Sequence, residues 1–349
     1  MAAYTAVDDS EAYFQTELYT GTGSSLATTF DGDTDMAPDL IWIKNRETTD
    51  SSSITNAAFG VNSQSHSDGT ARTTDTDHVT AFGSDGFTVG TDVTVNTSDE
   101  AYAAWCWKGG TTSGITTDGN TTITPAAYSF SQTAGTAFLK YAGNTTSGAK
   151  VAHGLGAVPH LMITRNMSAG VSWNIYHHKN TAAPETDYLE LDTADTTADA
   201  ADRWNDTAPD SVNFTIGDAQ GINGNTDNIL AFVFSEKQGF SKFGSYTGNG
   251  NADSAFIYLG FRPAFFMLKA SSAGAEEWRI CDNKRDPENV MDRTFKANLA
   301  ESDTDADVMD FVSNGVKLRS TDGGLNYNGR TYVYVAFAEA PFVNSNGVP

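Results

Sequence analysis

One pattern, written three times, limits what this chain can become. An aromatic–glycine turn opens each copy: Tyr19-Thr20-Gly21-Thr22-Gly23, Tyr141-Ala142-Gly143-Asn144 and Tyr246-Thr247-Gly248-Asn249-Gly250. A proline then releases an apolar run, from Pro38 to Lys44, Pro159 to Arg165 and Pro263 to Lys269. Each copy closes on an aromatic strand: Ala104-Trp105-Cys106-Trp107, Ala231-Phe232-Val233-Phe234 and Ala336-Phe337-Ala338. The opening turns lie 122 and 105 residues apart, the prolines 121 and 104, and the closing strands 127 and 105. Such a period is too long for a solenoid coil and suits a small domain with its own core, so three tandem modules are expected in 349 residues.

The local signals are those of strands. Phe82 to Gly90 reads strand, Asp-Gly turn, strand, and Val312 to Leu318 carries the related Asn-Gly turn. Val212 to Gly217 keeps the same alternation without a glycine turn. Helical periodicity is weak throughout, and the best helical segment, Thr193 to Trp204, has room for a turn or two. The class expected is therefore all-β, three tandem β-sandwich modules of jelly-roll or lectin-like type. The divisions are a leader or docking strand over residues 1–18, a first module over 19–110 and a Gly/Thr-rich linker over 111–127. A second module follows over 128–239 and a third over 240–349. The leader carries Tyr13, Phe14 and Leu18 and is expected to add a strand to the first sheet. Slack is expected between the first two modules, and a packed junction at Gly239 to Gly244, where Phe240 and Phe243 stand.

Charge narrows the partners. With 44 acidic residues against 21 basic ones the chain carries −23, which repels a nucleic-acid backbone and disfavours an anionic membrane surface. No apolar run is long enough for a spanning helix. Residues Met1 to Ser10 show no signal-peptide pattern, so release by host lysis is the route expected for an extracellular role. Cys106 and Cys281 occupy unmatched places in the repeat, as buried thiols would and a repeated disulfide framework would not.

Candidate chemistry is sparse. Asp31, Asp33 and Asp35 alternate as the opening ligands of a calcium loop do, although Trp42 stands where an EF-hand needs its bidentate Glu. A structural calcium is the one cofactor candidate, and no catalytic residue is assigned. His177 and His178 are strand neighbours on opposite faces, while His153 and His160 read as surface loop residues. No nucleophile elbow, P-loop or dinucleotide fingerprint is present. Trp173 and Trp278 match at a spacing of 105 and are read as core pins, as are Trp42, Trp105 and Trp107.

These residues together resemble modules in structural proteins of tailed, especially marine, bacteriophages. The resemblance rests on Tyr-Thr-Gly-x-Gly, Pro38 to Arg46, Ser84 to Gly90 and Ala104 to Lys108. It continues through His153 to Pro159, Trp204 to Pro209, Phe243 to Gly250, Gly260 to Pro263 and Ala336 to Phe342, and so runs from about Tyr4 to Phe342. It implies a non-enzymatic virion-surface component of the tail-fibre kind that contacts other virion proteins or host-surface glycans and assembles as a homo-oligomer, with a trimer favoured. The missing shaft repeats also leave open a capsid decoration or cement protein. A secreted carbohydrate-binding or glycoside-cleaving sandwich is the third alternative.

Overall fold

The alternating runs pair into sheets. The computed structural model describes residues 5–70, 72–253 and 256–341, so Tyr4, Phe342 and the outermost ends of the first and last expected segments lie outside the described residues. The first stretch forms β1 (Phe14–Thr20), β2 (Leu26–Thr28), β3 (Leu40–Asn45), β4 (Ser53–Asn56), β5 (Gln64–Ser65), β6 (Arg72–Thr73), β7 (Val79–Phe82), β8 (Phe87–Val89) and β9 (Ala101–Trp107), with the one-turn helix α1 (Val93–Asn96) before β9. The second forms β10 (Ala127–Ser131), β11 (Thr136–Ala142), β12 (Ala149–Ala152), β13 (Leu161–Asn166), β14 (Asn174–His177), β15 (Asp187–Tyr188), β16 (Ala198–Asp199), β17 (Asn213–Ile216) and β18 (Asn228–Phe234). Its helices are α2 (Ala201–Trp204) before β17 and α3 (Gln220–Asn223) before β18. The third forms β19 (Ser241–Thr247), β20 (Phe256–Tyr258), β21 (Pro263–Ala270), β22 (Arg279–Asp282), β23 (Met291–Lys296), β24 (Thr304–Val312), β25 (Gly315–Leu318) and β26 (Thr331–Ala338), with α4 (Gly323–Asn326) before β26.

The fold is all-β, and one strand order recurs: β1-β9-β3-β4, β11-β18-β13-β14 and β19-β26-β21-β22. In each repeat the strand that carries the opening tyrosine pairs antiparallel with the closing strand, which pairs on its other side with the proline strand. β1 takes in Phe14 to Leu18 of the leader and runs on through Tyr19 and Thr20 of the first repeat. A smaller set covers one face: β2-β8-β7 in the first repeat, β12-β17 in the second, and β24-β25-β20 in the third, where the strands run on continuously from the main sheet. The Asp85-Gly86 turn joins β7 to β8, with Gly86 at φ 107, a conformation open to glycine and costly for other residues.

Period two decides where each strand buries its side chains. In β9, Tyr102, Ala104 and Cys106 enter a core private to the first repeat, while Ala103, Trp105 and Trp107 point the other way. In β18 the split is Ile229, Ala231 and Val233 against Leu230, Phe232 and Phe234. In β26 it is Tyr332, Tyr334 and Ala336 against Val333, Val335 and Phe337. The second set of each strand meets the others in a single hydrophobic interior drawn from all three repeats. The closing strands are apolar on both faces because both faces are buried.

This shared interior removes the slack expected after the first repeat. The Asp39 carboxylate accepts the N–H groups of Gly109 and Gly110 at 2.8 and 3.0 Å and the Ser129 hydroxyl at 2.8 Å, which fastens the Gly/Thr-rich stretch to both repeats. Phe240 and Phe243 pack on Phe337 at ring separations of 5.9 and 6.0 Å. Both cysteines are free and buried, and burial pushes the Cys281 thiol up to about 12.

Candidate functional site

Each opening turn locks onto the helix turn before its closing strand. The Tyr19, Tyr141 and Tyr246 hydroxyls donate to the carbonyls of Val95, Ile222 and Leu325 at 2.7, 2.8 and 2.6 Å. The next residue along is a fully buried asparagine in every repeat: Asn96, Asn223 and Asn326. Asn223 accepts from the N–H groups of Asn144 and Thr145 at 2.7 and 3.2 Å, and donates to the carbonyls of Thr146 and Gly217 at 3.1 and 2.7 Å. Asn96 and Asn326 bind their own opening turns in the same manner. The first glycine is required because a Cβ on Gly21, Gly143 or Gly248 would stand 2.0, 2.2 or 2.3 Å from the carbonyl oxygen of the residue after that asparagine. The triplicated motif thus builds the fold and leaves no reactive group at its centre. Sequence reading found the tyrosines and glycines and missed the asparagines, which sit in short, aperiodic turns.

The seams between repeats are polar devices inside an apolar contact. The Trp105 indole donates to Asp282 Oδ2 at 3.0 Å, Trp173 to the His66 carbonyl at 2.9 Å and Trp278 to the Glu190 carbonyl at 2.8 Å. Each indole therefore crosses to another repeat, and the core pins expected of Trp173 and Trp278 belong to the shared interior. A buried basic residue stands one position before the end of every proline strand. Lys44 binds the Asp50 carbonyl, Arg165 the carbonyls of Val171 and Thr70, and Lys269 those of Glu276 and Ala194. Burial pulls the Lys269 ammonium down to about 8, against the raising effect of Glu277, Asp195 and Glu276. Between the first and third repeats, fully buried Arg285 binds Asp282 and Asp303 at 2.6 Å each, and Arg46 binds Asp303 at 2.9 Å.

Three histidines close the seam between the second and third repeats. His177 Nε2 meets the Tyr334 carbonyl at 3.1 Å and His178 Nε2 the Phe243 carbonyl at 2.7 Å, while His160 Nδ1 accepts the Glu236 N–H at 3.0 Å. The His160 and His178 rings stand 4.4 Å apart. Burial pulls His177 down to about 3 and His178 to about 4, and it lowers His160 as well. The expectation that His153 and His160 lie on the surface is corrected. His153 is fully buried against the Asp210 carbonyl, pulled down to about 4 by burial, and His160 is half-buried in this seam, because both neighbour strands that pack on other elements.

Asp31, Asp33 and Asp35 are exposed, and Asp31 is bound by Lys284 Nζ at 2.7 Å. Beside them, burial and the charges of Asp31 and Asp85 raise the Glu17 carboxyl to about 7, against the lowering effect of Lys284. Among the described residues, the group whose ligand atoms lie within 4.8 Å of one another is Asp75, His78 and Asp92. The sequence held no metal-ligand spacing for it, because a hairpin separates His78 from Asp92.

One concave surface that combines charge with hydrogen-bonding groups is a cleft of about 420 Å³ between the first and second repeats. It is lined by Thr70, Ser172, Asn174, Glu190, Asp202 and Arg203. Burial and the charge of Asp192 raise the Glu190 carboxyl, against the lowering effect of Arg203. Arg203 lies 4.6 Å over the Tyr188 ring and binds Asp202 at 2.7 Å. Such a lining offers donors and acceptors to a hydroxyl-rich ligand.

One family model, described as a domain of unknown function (DUF7483), matches residues 9–341 and so takes in all three repeats. The chain belongs to the DUF7483 family. No curated protein and no solved structure matches it. The DUF7483 domain is therefore coextensive with the threefold arrangement, not with one copy of it.

Proposed function

We propose that this chain is a non-enzymatic structural protein of a tailed-phage virion, built from three tandem β-sandwich modules of jelly-roll or lectin-like type and carried on the tail surface. The observation that carries the reading is the single interior shared by the three repeats. Phe232, Trp105 and Phe337 commit the large rings to holding the repeats together, and polar loops remain for contact. A rigid body that presents loops is suited to binding neighbours or host-surface glycans at many copies per particle, where avidity replaces one strong site. The resemblance of the turn and strand motifs to phage structural modules supports the setting. Synthesis in the host cytoplasm and release by lysis follow from it, and so does a homo-oligomeric, trimer-favoured state.

The glycan contact falls on the Arg203 cleft. Cryo-EM of intact particles, together with binding of the purified chain to host cells, tests the whole reading. Density on the tail and saturable cell binding that Arg203→Ala weakens are expected. A particle that lacks the protein, or glycoside cleavage abolished by Glu190→Gln, would overturn it. A second reading, a capsid decoration or cement protein, is favoured by the closure of the three repeats into one body. Density confined to the capsid, with no cell binding, would select it.

A further inference from the structure

We propose that Asp75, His78 and Asp92 form a binding site for a divalent cation of the zinc class, with His78 Nδ1 and Asp75 Oδ2 as direct ligands and Asp92 holding the ring from behind. His78 is buried at 3% exposure, and its Nε2 stands 3.2 Å from Asp92 Oδ1. That carboxylate is itself fixed, because it caps α1 by accepting the Thr94 N–H at 2.8 Å and the Thr94 hydroxyl at 2.6 Å. An Nε2–H directed at Asp92 would leave Nδ1 as the nitrogen that can ligate a metal. The opposite nitrogen, Nδ1, is buried with no hydrogen-bond partner and faces Asp75 Oδ2 at 4.0 Å. That separation is too long for a hydrogen bond. Two tetrahedral metal–ligand bonds of about 2.0–2.1 Å place their ligand atoms about 3.3 Å apart, which the part-exposed Asp75 side chain reaches by a small rotation.

The carboxylate behind the ring is the outer partner that a metal-bound histidine ordinarily has, since it sets the tautomer and strengthens the ligand. A nitrogen ligand beside carboxylate oxygen favours a zinc-class ion over calcium or magnesium, which prefer oxygen alone. Comparison with the second repeat points the same way. Gly90 N donates to the His78 carbonyl and Gly217 N to the Arg203 carbonyl, both at 2.6 Å, so His78 and Arg203 occupy matching positions. Arg203 pairs with the neighbouring Asp202, whereas His78 lies between Asp75 and Asp92.

The test is titration of the full chain with Zn²⁺ alone, at physiological salt to suppress loose binding by the acidic surface, followed by calorimetry and by Co²⁺ absorption as a report of nitrogen ligation. One ion per chain is expected, with affinity at least tenfold weaker in both His78→Gln and Asp75→Asn. Asp75 is exposed enough for its variant to fold even if the His78 variant does not. Absence of Zn²⁺ uptake by the unaltered chain, or unchanged uptake in the Asp75→Asn variant, would overturn the proposal.

Discussion

A buried side-chain amide that satisfies four backbone groups is hard to replace, and the chain places one at the same point of each repeat. Truncating Asn223 to Ala would strip partners from the N–H groups of Asn144 and Thr145 and from the carbonyls of Thr146 and Gly217, all within the fold. Each uncompensated buried group costs about 1–3 kcal/mol, and partial relaxation brings the expected total to about 3 kcal/mol. Tyr141→Phe orphans the Ile222 carbonyl alone and is expected to cost about 1–2 kcal/mol. Urea denaturation of the two variants should rank them in that order, and a loss below the tyrosine value for Asn223→Ala would show the amide to be dispensable. The tyrosines were legible in the sequence because an aromatic before glycine at a fixed offset stands out. The asparagines were not, because an Asn in a loop reads as a turn residue until its partner, a segment some eighty positions away, is known.

At the level of elements, the histidine seam ties β14 and its flanking turn to β19 and β26 through neutral rings. His177 and His178 have folded-state pKa values of about 3 and 4, below the ordinary 6.5, so the unfolded chain binds more protons than the native one once the pH falls under 6.5. The seam's contribution to stability is therefore level above that value and declines as pH drops towards 4, while Glu17, raised to about 7, contributes in the opposite sense between 4.5 and 7. Fully buried His177 alone is expected to account for about 2 kcal/mol at pH 5. Lys179 adds to the repulsion around His178 and Glu236 opposes it. Measured from pH 7.5 to 5, the stability difference between the unaltered chain and His177→Gln should show this slope, with about one proton fewer taken up on unfolding of the variant at pH 5; an identical pH profile in the two would remove the seam as its source. Sequence reading placed both His177 and His178 on a strand, whereas β14 ends at His177 and His178 stands in the turn that follows, and it could not see what lay beyond the strand's edge. Alternation reports which way a side chain points and not which element meets it.

For the whole molecule, the question is whether three repeats behave as three domains or one. The recurring aromatics made the closing strands visible from the sequence and marked the face of Trp105 and Trp107 as a core face. Only the three-dimensional arrangement shows that the second face of each belongs to an interior held in common, with Trp105, Phe232 and Phe337 in one cluster. A repeat that lost its neighbours would expose that face to water, at about 25 cal/mol for each Å² of apolar surface uncovered. Unfolding is therefore expected as a single calorimetric transition whose van't Hoff and calorimetric enthalpies agree. The seam between the first and third repeats gives a sharper form of the test. Arg285→Met leaves Asp282 and Asp303 facing each other without their buried cation, a change expected to cost about 3–5 kcal/mol. In a cooperative body that loss lowers the one transition as a whole, including the melting of the second repeat, which Arg285 does not touch. If the repeats are independent, tryptophan fluorescence and calorimetry would separate, with the second repeat melting where it did before; that separation would remove the shared interior as the basis of the fold.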